Sequence, residues 1–483
     1  MAEIILLKNA MLCDSRRCRP ADILIKDGII LKTASYLDDA AVAAVAAAAA
    51  AAGPLRKETQ FRRYNLDGCI VTRALADVHV HFRVPGRPDK ETVATGSAAA
   101  ARGGYSCVCP MPNLSPVPDS PEHLEEELKL IRKEGTVDIL PYASITLERA
   151  GKQTVDVAAL KDKAVAFSDD GSGVQDEAVM RESMKRIAAA KCILAAHCED
   201  NSLLKGGYIH DGRYAAAHGH KGICSQSEWG QIERDARLAE ETGCSYHVCH
   251  ISTRESVAII REAKARGVDI TCETAPHYLT LCEDDLQEDG RFKMNPPLRA
   301  AEDREALIEA LADGTIDMIA TDHAPHTAEE KSKGLQGSAM GIVGLETAFS
   351  VLYTKLVRTG RIKLERLVEA MAEAPRKRFK LDEKAAAAKA AARSRSIFAR
   401  KSKEPEAGIR EGDAADLAVF DISREYVIDP EEFRSKGRST PFAGWRVYGK
   451  CLLTFCRGKK VWSDASLAGY VQAQSEAGGG GSR

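Results

Sequence analysis

Eight short apolar runs, each closing on polar or ionisable residues, constrain this chain more than any other feature. They lie around GCIVTRALADVHVH and at YSCVCPMPN (105–113), DILPYASI (138–145), AVAFSDD (164–170), CILAAHCED (192–200), CSYHVCHIS (244–252), VDITCETAPH (268–277) and DMIATDHAPH (317–326). Amphipathic stretches such as DEAVMRESMKRIAAAK, QIERDARLAEETG and STRESVAIIREAKARG separate most of them. Continuous apolar strands alternating with such helices predict a parallel sheet buried on both faces. Eight units close naturally into a (β/α)8 TIM barrel, whose site lies where the strands end at their C-termini.

The two ends read differently. EIILLKNAML and ADILIKDGIIL near the start, and ADLAVFD and WRVYGKCLLTFCRGKKVW near the end, are strand-like and joined by turn residues. They predict one small β-sandwich domain assembled from both termini, in an α/β protein overall. The expected division is 1–73 for its first part, 74–383 for the barrel, 384–404 for a low-complexity insertion, 405–465 for its second part and 466–483 for a disordered tail. The Ala-rich run at 40–52 and the 384–403 stretch are read as surface excursions able to form helix.

Charge excludes some classes. Lys+Arg of 68 against Asp+Glu of 70 leaves a net charge of -2, which lacks the basic excess of a nucleic-acid binder. No apolar run approaches the roughly 20 residues of a spanning helix, and the N-terminus lacks the pattern of a secretory signal. The expectation is a cytoplasmic protein with neither nucleic-acid nor membrane partner. The 14 cysteines are scattered, without zinc-knuckle or redox-motif spacing, and are read as buried reduced thiols.

Chemistry gathers at the run ends. His79 and His81 alternate on the first strand and so share a face that can grip one cation. Asp170 closes the fourth run, His197 the fifth, His250 the sixth and Asp322 the eighth. Any one of these could be a satisfied core or capping residue. Six imidazole and carboxylate groups at one mouth of one barrel favour a metal site. Nitrogen and oxygen ligands without thiolate suit zinc, or a similar divalent ion, with positions open for hydrolysis.

The motifs DVHVHFRVPG (77–86), CPMPNLSPVPD (109–119), FSDDG (167–171), AHCED (196–200), HVCHIST (247–253), ETAPHYL (273–279), KMNPPLR (293–299), ATDHAPH (320–326), GIVGLE (341–346) and SKGRSTPF (435–442) resemble the amidohydrolase superfamily. Within it they resemble the dihydroorotases, over nearly the whole chain. The resemblance implies His79, His81, His197 and His250 as metal ligands, with Asp322 as ligand and catalytic proton carrier. Many relatives bridge two metals with a carboxylated lysine; here Asp169-Asp170 stands at that strand end, and spacing to His197 favours Asp170. The implied cofactor is Zn2+, one or two ions per subunit.

The implied reaction is reversible cyclisation of N-carbamoyl-L-aspartate to dihydroorotate with loss of water. Both partners carry carboxylate, so a guanidinium is expected in the site. Arg83 resembles the family's carboxylate clamp, Asn113 and Asn295 its amide-bearing partners, and His326 adds a donor. Main-chain groups around Gly341 are expected against the ring, and residues 324–340 as a loop over the site. His277 is not expected to be a ligand. The sequence departs from the family at Val84, where an acid is usual, at Ser439, where Asn is common, and in the 384–403 insertion. A homodimer and an association with aspartate transcarbamoylase complete the expected partners. Competing readings are a sister cyclic amidase (dihydropyrimidinase, hydantoinase or allantoinase) and a silent barrel that scaffolds aspartate transcarbamoylase. Arg83 with Asn113 and Asp170 speaks against the first, and the complete ligand set against the second.

Overall fold

The computed structural model describes residues 2–51, 59–392 and 409–471. The apolar runs form strands, and every pairing among them is parallel. Leu75–Val80 pairs with Tyr105–Pro110, which pairs with Asp138–Ile139. Single bridges Ala143 to Phe167 and Phe167 to Leu194 carry the pairing across the fourth run to Ile193–Ala196. Ser245–Val248, Ile270–Thr274 and Met318–Ile319 follow in order. A bridge from Val80 to His323 then returns to the first strand.

Helices cover the outside because each intervening stretch has one apolar face and a cap. Thr92 caps Val93–Arg102, Asp176 caps Glu177–Ala189 and Thr253 caps Arg254–Ala265, each side chain accepting an N–H of the first turn. Val257, Ile260 and Ala263 of the last helix face the strands at helical spacing and are buried.

Strands from both chain ends share one eight-stranded sheet. The long strand Ala2–Cys13 pairs along one edge with Cys18–Lys26. Along the other edge its residues 2–8 pair with Thr59–Asn65 and residues 11–13 with Cys69–Arg73. The change of partner falls at a bulge where Asn9 takes a φ of 59°. Leu417–Asp421 and Lys450–Cys456 extend the sheet beyond Cys69–Arg73. The sheet meets the helical layer through Phe420, whose ring stacks on Phe349 at 3.9 Å. Gly104 sits under the same ring; a Cβ there would come within 2.5 Å of it.

Four expectations change. Cys13 and Cys18 form a disulfide, because the hairpin's antiparallel register sets them opposite each other; the other twelve cysteines are free. The low-complexity stretch from 384 is not all a surface excursion. Its start belongs to the helix Leu381–Ala392, where Leu381 and Ala385 are buried and Lys384 Nζ donates to the carbonyls of Ala164 and Val165. The remainder of that insertion, from 393, lies outside the described residues. The Ala-rich run forms the helix Asp39–Ala51, docked through Val42 on Ile4, Leu6 and Leu24. The tail expected from 466 does not begin there. Ala465–Tyr470 is a short helix that buries Leu467 and Tyr470, and residues 472–483 lie outside the described ones.

Candidate active site

The strand Leu75–Val80 is buried throughout, and alternation turns His79 and His81 to the same side at its end. Asp77, two residues earlier, accepts from the backbone N–H groups of His79 and Thr321 and so ties this strand end to that of Asp322. Burial raises the Asp77 carboxyl to about 7 against those bonds.

His79 and His81 are each held by one nitrogen and offer the other. His79 Nδ1 donates to Glu273 Oε1 at 2.8 Å, and its Nε2 points at Asp170 Oδ1, 3.3 Å away. His81 Nδ1 donates to Asn113 Oδ1 at 2.9 Å, leaving Nε2 3.0 Å from Asp322 Oδ1. His197 Nδ1 and His250 Nε2 approach to 2.9 Å, and both face Asp170 Oδ1, at 3.7 and 3.6 Å. Asp170 thus stands among four histidines. Asp169 faces away and accepts from the backbone N–H groups of Ile145 and Thr146.

Two sets of potential ligand atoms lie within 4.8 Å of one another, His79 with His81 and Asp322, and His79 with Asp170 and His250. His79 Nε2, Asp170 Oδ1 and His197 Nε2 are buried without any hydrogen-bond partner. Buried polar atoms are rarely left so, and a shared cation would satisfy His79 Nε2 and Asp170 Oδ1, which lie 3.3 Å apart. The charge pattern agrees. Burial opposes charge on His79, but Asp170 and Glu273 outweigh it and raise the imidazole well above its usual range. Burial likewise opposes charge on Asp170 and Asp322, yet the surrounding imidazoles hold both far below the usual carboxylate range. The cage favours positive charge and fits a divalent metal of the nitrogen- and oxygen-preferring kind.

Backbone strain concentrates here. Arg83, His250 and Asp322 take φ values of 60°, 31° and 48°, a region non-glycine residues seldom enter. Arg83 turns back over the mouth, where Nε donates to the Pro325 carbonyl and Nη2 lies 3.4 Å from His326 Nε2. Among the described residues no carboxylate pairs with it. His326 Nε2 donates to Met340 O, and burial, with Arg83 and Lys90 beside it, lowers the imidazole to about 3, so it stays neutral. Gly341 has a φ of 129°; a Cβ there would meet Ala324 Cβ at 2.7 Å and the Ala324 carbonyl at 2.8 Å. Asn295 Nδ2 donates to Glu199 Oε1, while its Oδ1 is buried without a partner. The expected site residues lie in two neighbouring groups, the cage around Asp170 and the set of Arg83, His326 and Gly341.

Sequence reasoning missed the supporting carboxylates. Glu273 bonds His79 and His247, and those bonds overcome burial to bring it down to about 2. Glu199 lies 3.6 Å from His197 Nε2. Both sit inside motifs at strand ends, and the parity that selects His79 and His81 could have singled them out. Cys249 joins His79 and Glu273 within ligand distance, but burial pushes its thiol up to about 12. His277 is buried, its Nε2 without a hydrogen-bond partner, and it packs edge-on against Tyr278.

Residues 68–256 match the family described as Dihydro-orotase-like. A dihydroorotase of Bacillus cytotoxicus is 44% identical over 449 residues, which cover 92% of this chain and 95% of that protein. One from Bacillus cereus is 45% identical over 450 residues with the same coverage. The chain belongs to the dihydroorotase family. Like other dihydroorotases, it is a hydrolase of cyclic amide bonds. Among solved structures, an L-hydantoinase (dihydropyrimidinase) from Arthrobacter aurescens superposes with a TM-score of 0.76 at 26% identity, over 95% of this chain and 96% of that one. A D-hydantoinase from a Thermus species gives 0.72 at 23% identity, over 95% of each chain, a likeness of fold. The dihydroorotase family thus shares its α/β architecture with enzymes named for other cyclic amides.

Proposed function

We propose that the chain interconverts N-carbamoyl-L-aspartate and dihydroorotate, at a centre holding one or two zinc ions. In this reading the returning ring of parallel strands is a (β/α)8 barrel, and the two-ended sheet is a β-sandwich packed against it. The observation that carries the substrate assignment is Arg83, a guanidinium at the site that, among the described residues, is hydrogen-bonded to the Pro325 carbonyl and to no carboxylate. Such a group is a natural seat for a substrate carboxylate. Dihydropyrimidine and hydantoin rings carry none.

His79, His81, His197, His250, Asp170 and Asp322 would hold the metal. A bound divalent cation supplies water of lowered pKa and polarises the ring carbonyl. Asp322 is ionised throughout the neutral range and 3.0 Å from His81 Nε2, placed to take the proton of the attacking water. It returns that proton to the ring nitrogen as the amide C–N bond breaks. In the closing direction it removes the nitrogen's proton and delivers it to the departing hydroxyl. Asn113 spends Oδ1 on His81 and keeps Nδ2 for the substrate, and Asn295 Oδ1 is available to accept a ring N–H. His326, neutral, lies beside Arg83 with its Nε2 donating to Met340 O, and Gly341 admits the ring against its backbone because it lacks a side chain.

The test is Arg83→Ala. Its KM for dihydroorotate should rise about 10- to 100-fold, the loss of one charged hydrogen-bonded contact, with metal content unchanged. An unaltered KM would remove the carboxylate assignment.

A further inference from the structure

We propose a second binding site, for a small molecule bearing a di- or triphosphate, in a hollow of about 390 Å³ at the turn between the first two strands. Arg16, Arg17 and Arg19 from the turn, Arg73 from the strand Cys69–Arg73 and Arg410 line it, against the carboxylates Asp14 and Glu373. Carboxylates outside the lining pair with Arg73, so Arg16, Arg17 and Arg19 of the turn are what make this hollow, of small-ligand size, basic.

The acids are already engaged. Asp14 Oδ1 accepts from the backbone N–H groups of Arg16 and Arg17, and Glu373 accepts from the N–H and hydroxyl of Ser15. Arg73 pairs with Asp382 and Asp416. No carboxylate among the described residues pairs with Arg16, Arg17 or Arg19. Like charges gathered without counter-charge repel, and a folded chain keeps them together at a cost.

The turn that presents them is nevertheless held in place. The Cys13–Cys18 disulfide closes it at its base, Asp14 N donates to Arg17 O across it, and Glu373 anchors Ser15. A fixed backbone presenting unpaired guanidiniums is preorganised for an anion, because little order remains to be imposed on binding. Guanidinium forks match phosphate oxygens two at a time. Adjacent phosphates offer oxygens enough for Arg16, Arg17 and Arg19 together, and Leu12 and Ile409 give an apolar wall for the rest of such a molecule. The site lies at the two-ended sheet, apart from the cage, and its test does not depend on the reaction assigned there.

Calorimetric titration of the metal-loaded enzyme with inorganic pyrophosphate, and separately with a nucleoside triphosphate, decides the matter, with sulfate at equal ionic strength as reference. The expected result is saturable binding of one molecule per chain, weakened at least about tenfold in R16A/R17A/R19A with basal turnover unchanged. Tighter binding of the nucleoside triphosphate would identify a nucleotide as the ligand, and equal binding would identify the phosphates alone as what is read. No saturable binding, binding matched by sulfate, or binding unchanged in the triple variant would overturn the proposal.

Discussion

His79 Nδ1 donates to Glu273 Oε1 at 2.8 Å, deep inside the protein and out of reach of water. The bond fixes the tautomer that leaves Nε2 facing Asp170. Outer carboxylates of this kind typically contribute 10- to 100-fold in metal affinity. Glu273→Gln should weaken zinc binding by about that factor in a competition titration with a chromophoric chelator. An unchanged affinity would reduce Glu273 to a packing role.

Asp322 can carry a proton only while one of its oxygens is basic and near the reacting nitrogen. Asp322→Asn keeps the shape and removes the base. Turnover should fall about 100- to 10,000-fold in both directions, with circular dichroism unchanged. Residual turnover close to wild type would assign the proton to another group.

Gly341 offers a backbone test of the set around Arg83. A side chain there meets both Ala324 and the strain of φ 129°, so Gly341→Ala should cost about 1 to 3 kcal/mol of stability. It should also raise KM for dihydroorotate, read in denaturant melts and initial rates. A variant as stable and as tight as wild type would show that this wall yields.

His277 gives a pH signature. Burial lowers its folded value from 6.5 to about 4, so between those values the unfolded chain binds the extra proton. Stability from this residue is full above about 6.5 and is lost as pH falls toward 4, on the order of 3 kcal/mol over the window. The stability difference between wild type and His277→Gln should therefore shift against wild type as pH drops through that range. A difference independent of pH would mean that His277 is hydrated.

The layout of the site was legible because strand parity and the position of each run's end place a side chain without tertiary knowledge. His79, His81, His197, His250 and Asp322 all follow from it. Spacing to His197 favours Asp170 over Asp169; what the sequence does not show is that Asp169 is spent on the N–H groups of Ile145 and Thr146. Glu273 and Glu199 were hidden by the same burial that gives them their role, because an acid in an apolar run reads as an end marker. The Cys13–Cys18 pair depends on hairpin register, and no spacing motif announces it. Composition also misled at 384, where alanine suggested a solvent excursion and Leu381 with Ala385 instead supply a packing stripe.

The central claim rests most directly on which ring is opened. The zinc-loaded enzyme is incubated with dihydroorotate, dihydrouracil or hydantoin, and loss of ring-amide ultraviolet absorbance is followed with and without chelator. The expected result is turnover of dihydroorotate alone, abolished by the chelator and restored by zinc. Opening of dihydrouracil or hydantoin at a comparable rate would contradict it, because Arg83 would then face a substrate with no carboxylate to hold.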